Sequence, residues 1–152
     1  MFELDNANSQ DLKEEVCIRA ENYFNQNYNC AQAVAMSCAE LLNGQTEGIK
    51  QVAAGFGHGM NAGCTCGALA GGVMAISLLL AGPETKGFDR EIVGAAAELH
   101  KRFVNEFGLT CCRGLRKKLS LYKNSRCREI TSKTAAITLD LLLTRKASSA
   151  PV

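Results

Sequence analysis

Hydrophobic residues recur at three- and four-residue spacing through most of the chain, which is the pattern of amphipathic helices. In the first such stretch, which begins near Ser9, Leu12, Val16 and Ala20 fall on one face, and the stretch after Asn29 repeats the pattern. No segment shows the alternation of polar and apolar residues that marks a half-buried strand. The sequence therefore predicts an all-α bundle of about five main helices.

Capping and helix-breaking residues indicate where these helices begin and end. Asn29 is a good N-cap, and Gln32 stands where it would complete a capping box. Glycines in the segment 55–63 predict a loop. The first long helix is predicted to begin near Ser9. Four other long helices are predicted from Asn29 to Gly44, from Cys66 to about Leu80, from Asp89 to Gly108 and from Ser125 to about Arg145. Short helices are predicted at 47–54 and 112–119.

Length and composition are those of one globular domain. The chain has 152 residues, of which 47% are hydrophobic and 21% charged. We expect residues 1–146 to form a single helical domain and residues 147–152 a flexible tail. A net charge of +2 is too small for a nucleic-acid-binding protein.

The sequence gives no indication of a membrane or export segment. The most apolar run, residues 68–81, is interrupted by Gly71, Gly72 and Ser77 and is shorter than the roughly 20 residues that a membrane span needs. The first residues lack the basic start and apolar core of a secretory signal. We therefore expect a cytoplasmic protein, in which clustered cysteines are metal ligands or redox thiols rather than structural disulfides.

Four of the eight cysteines follow capping-type residues at predicted helix starts. Free backbone N–H groups and the positive end of the helix dipole favour a thiolate at such positions. Because four separate starts each supply a cysteine, we expect them to converge on one anionic or metal centre. These residues are Cys30, Cys66, either Cys111 or Cys112 after Thr110, and Cys127.

Glycines at four-residue spacing accompany the second of these cysteines. Gly63, Gly67 and Gly71 form a smooth stripe on the helix that Cys66 opens, and Ala75 continues it. Such a stripe allows either another helix or a cofactor to approach closely.

Together these segments resemble the family of redox-active proteins named for a C…GCAxxG…C…C pattern. The resemblance extends from about Tyr28 to Leu142. It rests on Cys30 within Asn29-Cys30-Ala31-Gln32-Ala33-Val34, on Gly55-Phe56-Gly57 and Met60, on Cys66-Gly67-Ala68-Leu69-Ala70-Gly71, on Cys112-Arg113 and on Cys127.

The resemblance implies a helical fold and a redox role in which Cys30, Cys66, Cys112 and Cys127 act together, with an iron–sulfur cluster as the cofactor. Relatives with c-type haem segments exist, but this chain has no Cys-x-x-Cys-His, so covalent haem is not expected.

The chain departs from the family pattern at several positions. Cys64 and Cys111 lie beside family cysteines and could replace them as ligands or form disulfides with them. His58 stands where the family has a glycine, which leaves it a candidate ligand or proton-coupled group. We expect Cys17 and Cys38 to be small buried core residues.

Soft thiolates bind both zinc and iron–sulfur clusters, so chemistry alone leaves these two cofactors open. The numbering gaps of 36, 46 and 15 residues between the four cysteines match neither paired zinc knuckles nor the standard ferredoxin runs. Helix dipoles directed at a negative cluster would favour its reduced form. An iron–sulfur protein for electron transfer or redox sensing is the leading hypothesis, and a structural or sensing zinc module is an alternative.

A metal-free thiol–disulfide oxidoreductase is the other alternative, with Cys64/Cys66 or Cys112/Cys127 as attacking and resolving thiols. No Ser-His-Asp set or carboxylate pair is evident, so the sequence assigns no catalytic residue. The expected partner is a redox protein, which the basic run Arg116-Lys117-Lys118 could dock if it is not simply a solvated face. Apolar helix faces also allow a homodimer.

Overall fold

Seven α-helices account for most of the chain that the computed structural model describes, residues 8–42, 45–116 and 125–149. Five of them have 13 or more residues. The helices are α1 (Ser9–Asn25), α2 (Cys30–Leu42), α3 (Glu47–Ala53), α4 (Gly67–Leu80), α5 (Arg90–Phe107), α6 (Cys112–Arg116) and α7 (Ser125–Ser149). The predicted all-α fold is confirmed, with two short helices beside the five long ones.

Side-chain caps define several helix starts. The Asn29 Oδ1 atom accepts a hydrogen bond from the Gln32 amide at 2.9 Å, and the Gln32 Oε1 atom accepts one from the Asn29 amide at 3.1 Å. This is the predicted capping box of α2. The Asp89 Oδ1 atom caps α5 by accepting hydrogen bonds from the Glu91 and Ile92 amides, both at 3.1 Å, and Gly108 ends that helix in a left-handed conformation. Gly44, the predicted end of α2, lies outside the described residues.

Two segments differ from the prediction. Helix α7 continues to Ser149, so its expected end near residue 145 was placed too early. No glycine or proline interrupts the sequence between Ser125 and Pro151, which explains the longer helix. The segment 55–63 is not an open loop, because a 3₁₀ turn at Ala54–Phe56 and a tight turn at Gly59–Gly63 occupy most of it.

Helix α2 lies at the centre of the bundle and packs against α1, α4 and α7. Ten of its 13 residues are buried, and four of those ten are alanine. Such small side chains let neighbouring backbones approach closely. At Gly71 on α4, a Cβ atom would stand 2.9 Å from the Ala31 Cα atom. The glycine stripe therefore serves helix packing at this position. Helix α5 packs on α4 and α7 through Leu99 and Phe103.

Two segments far apart in sequence are joined by a short antiparallel bridge between Thr65 and Cys111. The Cys66 amide donates to the Thr110 carbonyl at 2.7 Å, and the Cys112 amide donates to the Cys64 carbonyl at 2.6 Å. The bridge brings the start of α4 next to the start of α6. Among the described helices, none is both long enough and apolar enough to cross a membrane.

A four-cysteine cavity as the candidate functional site

The four cysteines at the helix starts line one cavity of about 250 Å³. Cys30 and Cys112 are the first residues of α2 and α6, Cys66 directly precedes α4, and Cys127 is the third residue of α7. The four helix starts thus meet at one cavity. The rest of the wall is formed by apolar side chains, among them Phe24, Leu115 and Ile130, and by polar ones, among them Asn27, Asn29, His58 and Arg116.

Local backbone contacts hold the first two cysteines in place. The Asn29 Nδ2 atom donates to the Ala54 carbonyl at 2.9 Å, which fixes the start of α2 to the 3₁₀ turn. Gly67 follows Cys66, and a Cβ atom at Gly67 would stand 2.6 Å from the Phe56 carbonyl oxygen and closer still to the Cys30 sulfur. Glycine at this position therefore allows Cys30 and the start of α4 to lie side by side.

A left-handed turn forms one side of the cavity mouth. The φ angles of His58, Gly59, Met60 and Asn61 are 51°, 63°, 58° and 54°. Residues with a side chain rarely adopt this conformation, and each such residue costs on the order of 1 kcal/mol or more. At Gly59, a Cβ atom would stand 2.8 Å from the Cys112 Cβ atom. The strained turn thus lies directly against a cavity cysteine.

Two arginines of α6 hold this turn. The Arg113 Nη2 atom donates to the Ala62 carbonyl at 3.2 Å, and the Arg116 Nη1 atom lies 3.3 Å from His58 Nδ1. A guanidinium can only donate a hydrogen bond, so His58 Nδ1 is the acceptor in this contact. His58 therefore stands at the cavity mouth with one ring nitrogen bound to Arg116.

Burial dominates the electrostatics of the cavity thiols. Burial is the largest of the causes that raise the pKa of Cys66 to about 12, and the nearby Cys30 and Cys112 also contribute to this rise. Burial also raises the pKa of Cys30, to which Cys127 and Cys112 contribute. Removing the proton from any one of these thiols places a negative charge in a dry site beside other sulfur atoms.

Hydrogen bonds oppose this effect without reversing it. The backbone N–H of His58 lowers the pKa of Cys30, and the Arg116 guanidinium lowers that of Cys112, but burial keeps both pKa values above the usual range. The expectation that helix starts favour thiolates is therefore wrong for Cys30, Cys66 and Cys112 in the metal-free protein. The helix-start donors are present, but burial outweighs them.

The remaining cysteines lie elsewhere. Cys64 and Cys111 are exposed and do not line the cavity, and the Cys111 sulfur contacts the Gly63 carbonyl oxygen at 3.3 Å. Cys38 is fully buried in the core, as predicted, and burial raises its pKa to about 12. Cys17 is half-buried, with its sulfur 3.5 Å from the Ser132 carbonyl oxygen.

Several wall residues were not predicted from the sequence. Leu115 and Arg116 follow Cys112 by three and four positions, and Thr131 follows Cys127 by four. Residues at these spacings share a helix face, so the same periodicity that located the helices could have identified them. Asn27 lies between α1 and α2 with a φ of 69°, and no comparable signal marks it.

No group of three His, Cys, Asp or Glu side chains within the described ranges is compact enough to hold a single metal ion. A group with several metal ions, such as an iron–sulfur cluster, can bind donors that lie further apart. The donors available to it are the four thiol sulfurs around one cavity. Sulfur donors suit both iron–sulfur clusters and zinc, but a single zinc ion would need these sulfurs to lie closer together than they do in this structure.

The fold and site define an all-helical protein with a four-cysteine cavity. The family model described as "Putative redox-active protein (C_GCAxxG_C_C)" matches residues 28–141, three quarters of the chain. The chain belongs to this family, which confirms the resemblance seen in the sequence. No curated protein and no solved structure matches the chain.

Proposed function

We propose that the protein holds an iron–sulfur cluster in the four-cysteine cavity and serves in electron transfer or redox sensing. The ligands would be Cys30, Cys66, Cys112 and Cys127. The observation that carries the proposal is that these four residues, drawn from four elements and separated by up to 97 positions, line the same cavity. Membership of a redox-active family supports the redox part of it.

The chemistry of the cavity supports this choice of cofactor. Cysteine sulfurs are the usual ligands of iron–sulfur clusters, and the reduction potential of a bound cluster is set by hydrogen bonds to sulfur and by solvent exposure. Backbone N–H groups of His58 and Ala31 point at the Cys30 sulfur, and those of Ala68 and Leu69 point at the Cys66 sulfur. These donors would stabilise added negative charge and so favour the reduced form.

The apolar part of the wall has a separate role. Phe24, Leu115 and Ile130 line the same cavity as the four sulfurs, and Leu115 and Ile130 are themselves buried. A dry wall strengthens the N–H to sulfur interactions and restricts access of water and oxygen. The chain therefore supplies ligands, hydrogen-bond donors and shielding at one place.

The two alternatives differ from this proposal in what the thiols do. A metal-free thiol–disulfide oxidoreductase needs a low-pKa thiol, whereas burial raises the pKa of Cys30, Cys66 and Cys112. That direction disfavours this alternative. A zinc module uses the same four sulfurs, and metal analysis separates it from a cluster.

The decisive experiment is to measure iron, acid-labile sulfide and zinc, with a visible spectrum, on protein purified without oxygen. Iron and sulfide in equal amounts, with absorption that bleaches on reduction, would support the proposal. Zinc alone would replace it with the zinc module. Colourless protein that also resists reconstitution with iron and sulfide would overturn it.

Single Cys→Ser variants assign the ligands. Loss of Cys30, Cys66, Cys112 or Cys127 should abolish or strongly reduce cluster content. Cys17→Ser and Cys111→Ser are matched controls outside the cavity wall and should retain it. A colourless Cys17→Ser protein would contradict the ligand assignment.

A further inference from the structure

Charged residues are distributed unevenly between the cavity segments and the rest of the chain. The three stretches that supply the four cavity cysteines, residues 22–39, 51–83 and 108–128, contain seven Lys or Arg and no Asp or Glu. The rest of the chain has ten basic and fifteen acidic residues. The formal charge is thus +7 in these stretches and −5 elsewhere, although the net charge is only +2.

All seven basic residues belong to the third stretch, which supplies Cys112 and Cys127. Arg116 lines the cavity and is exposed, Arg113 is exposed on the same helix, and Arg128 is exposed directly after Cys127. The next acidic residue along the chain is Glu129, whose charge is paired with Arg126 and Lys133. The described part of the cavity mouth therefore has an excess of positive charge.

The same face has the side chains of a protein-binding surface. Met60 on the left-handed turn is 51% exposed, and the aromatic rings of Phe24 and Tyr28 are half-buried at the cavity wall. Arginine, methionine and aromatic residues are enriched at protein–protein interfaces. The neutral amides Asn25, Gln26 and Asn27 are exposed beside them.

We propose that this face, defined by Arg113, Arg116, Arg128 and Met60, docks an acidic electron-carrier protein. The identity of the partner as an electron carrier rests on the proposed redox function, whereas the docking rests on the charge and residue types of this face. In the docked pair, one electron would pass from the reduced partner to the redox centre that the four cysteines would hold, with no bond formed or broken. Positive charge at the mouth would steer the acidic partner to the side where the cavity opens.

The charge distribution favours a protein over other anions. A nucleic acid is a long polyanion, and the charge of −5 on the rest of the chain would repel the part of it that extends beyond the mouth. A small anion would need cations inside the cavity. Of the described basic residues only Arg116 lines the wall, and it is exposed.

The test uses a plant-type ferredoxin as an acidic probe protein and the full chain, both as isolated and after removal of bound metal. Association rates are measured at low and at physiological ionic strength, and amide shift changes map the contact. Arg128→Glu is compared with Arg90→Glu, which changes the net charge equally. Arg90 is exposed at the start of α5. This start follows the end of α4 that is remote from the cavity, and α4 is about 20 Å long.

We expect salt-sensitive association that Arg128→Glu slows about three- to tenfold and Arg90→Glu leaves nearly unchanged. Shift changes should centre on α6 and residues 58–61. Equal slowing by both variants, salt-independent association, absence of association, or tighter binding to a single-stranded oligonucleotide would each overturn the proposal. If docking is local but no iron is found, the proposed function fails and the docking surface stands.

Discussion

Gly71 on α4 lies against the backbone of Ala31 on α2, so that a Cβ atom at Gly71 would stand 2.9 Å from the Ala31 Cα atom. Because the clash is with backbone rather than with a flexible side chain, one helix would have to move. Ala31 directly follows Cys30, so this contact also fixes a cavity cysteine.

Gly71→Ala is therefore expected to destabilise the protein by about 1–3 kcal/mol, the usual cost of overpacking. Gly94→Ala on α5 is the matched control. A Cβ atom at Gly94 meets only the Arg145 guanidinium at 3.6 Å, so this change should stabilise by about 0.5–1 kcal/mol through helix propensity. Urea unfolding of both variants measures the difference. Equal effects of the same sign would contradict the packing argument.

The left-handed turn at the cavity mouth gives a second pair of variants. Met60 has a φ of 58° and an exposed side chain, so Met60→Gly removes strain without removing core contacts. We expect it to raise stability by about 0.5–1 kcal/mol. Gly59→Ala should lower stability, because it adds a Cβ atom 2.8 Å from the Cys112 Cβ atom. A destabilising Met60→Gly change in thermal unfolding would show that the turn is not strained at that residue.

Most of the helical architecture could be predicted because it depends on local signals. Apolar spacing located the five long helices, and Asn29 with Gln32 located the start of α2. The packing partners of each helix could not be predicted, since contacts such as Gly71 with Ala31 join residues 40 positions apart. Four cysteines at helix starts were nevertheless enough to predict a single site.

Two properties of the site were beyond the sequence. Nothing in the residue preferences of Met60 predicts a left-handed conformation, which surrounding contacts such as Arg113 to the Ala62 carbonyl support. Thiol acidity was predicted in the wrong direction, because the donors at a helix start are local whereas the burial of Cys66 is a property of the whole fold.

Thiol reactivity in the metal-free protein should follow burial. Because thiolate is the reactive form and burial raises the pKa of Cys66 to about 12, Cys66 should be alkylated by iodoacetamide far more slowly than the exposed Cys64 near pH 8. Mass spectrometry after timed quenching measures each site. The unfolded protein in urea, where all cysteines should react alike, is the control. Equal rates for Cys64 and Cys66 in the folded protein would contradict this account of the cavity.

Cys38 gives a pH dependence of stability that does not involve the cavity. Burial raises its folded pKa to about 12, from an ordinary value of about 9. Below pH 9 the thiol is protonated in both states and stability is unaffected. Between about pH 9 and pH 12 the unfolded state loses the proton and the folded state keeps it, so stability falls by up to about 1.4 kcal/mol per pH unit for this one group.

In Cys38→Ala, the free energy of unfolding should therefore fall less steeply with pH above pH 9, and the difference in slope should correspond to about one proton. The smaller side chain should also lower stability at every pH. The measurement is denaturant unfolding of metal-free protein from pH 7 upward. Cys111→Ser is the control, because Cys111 is exposed and its replacement should leave the slope as in the unmodified chain. Parallel curves for Cys38→Ala and the unmodified protein would mean that the folded state releases the Cys38 proton as readily as the unfolded state does.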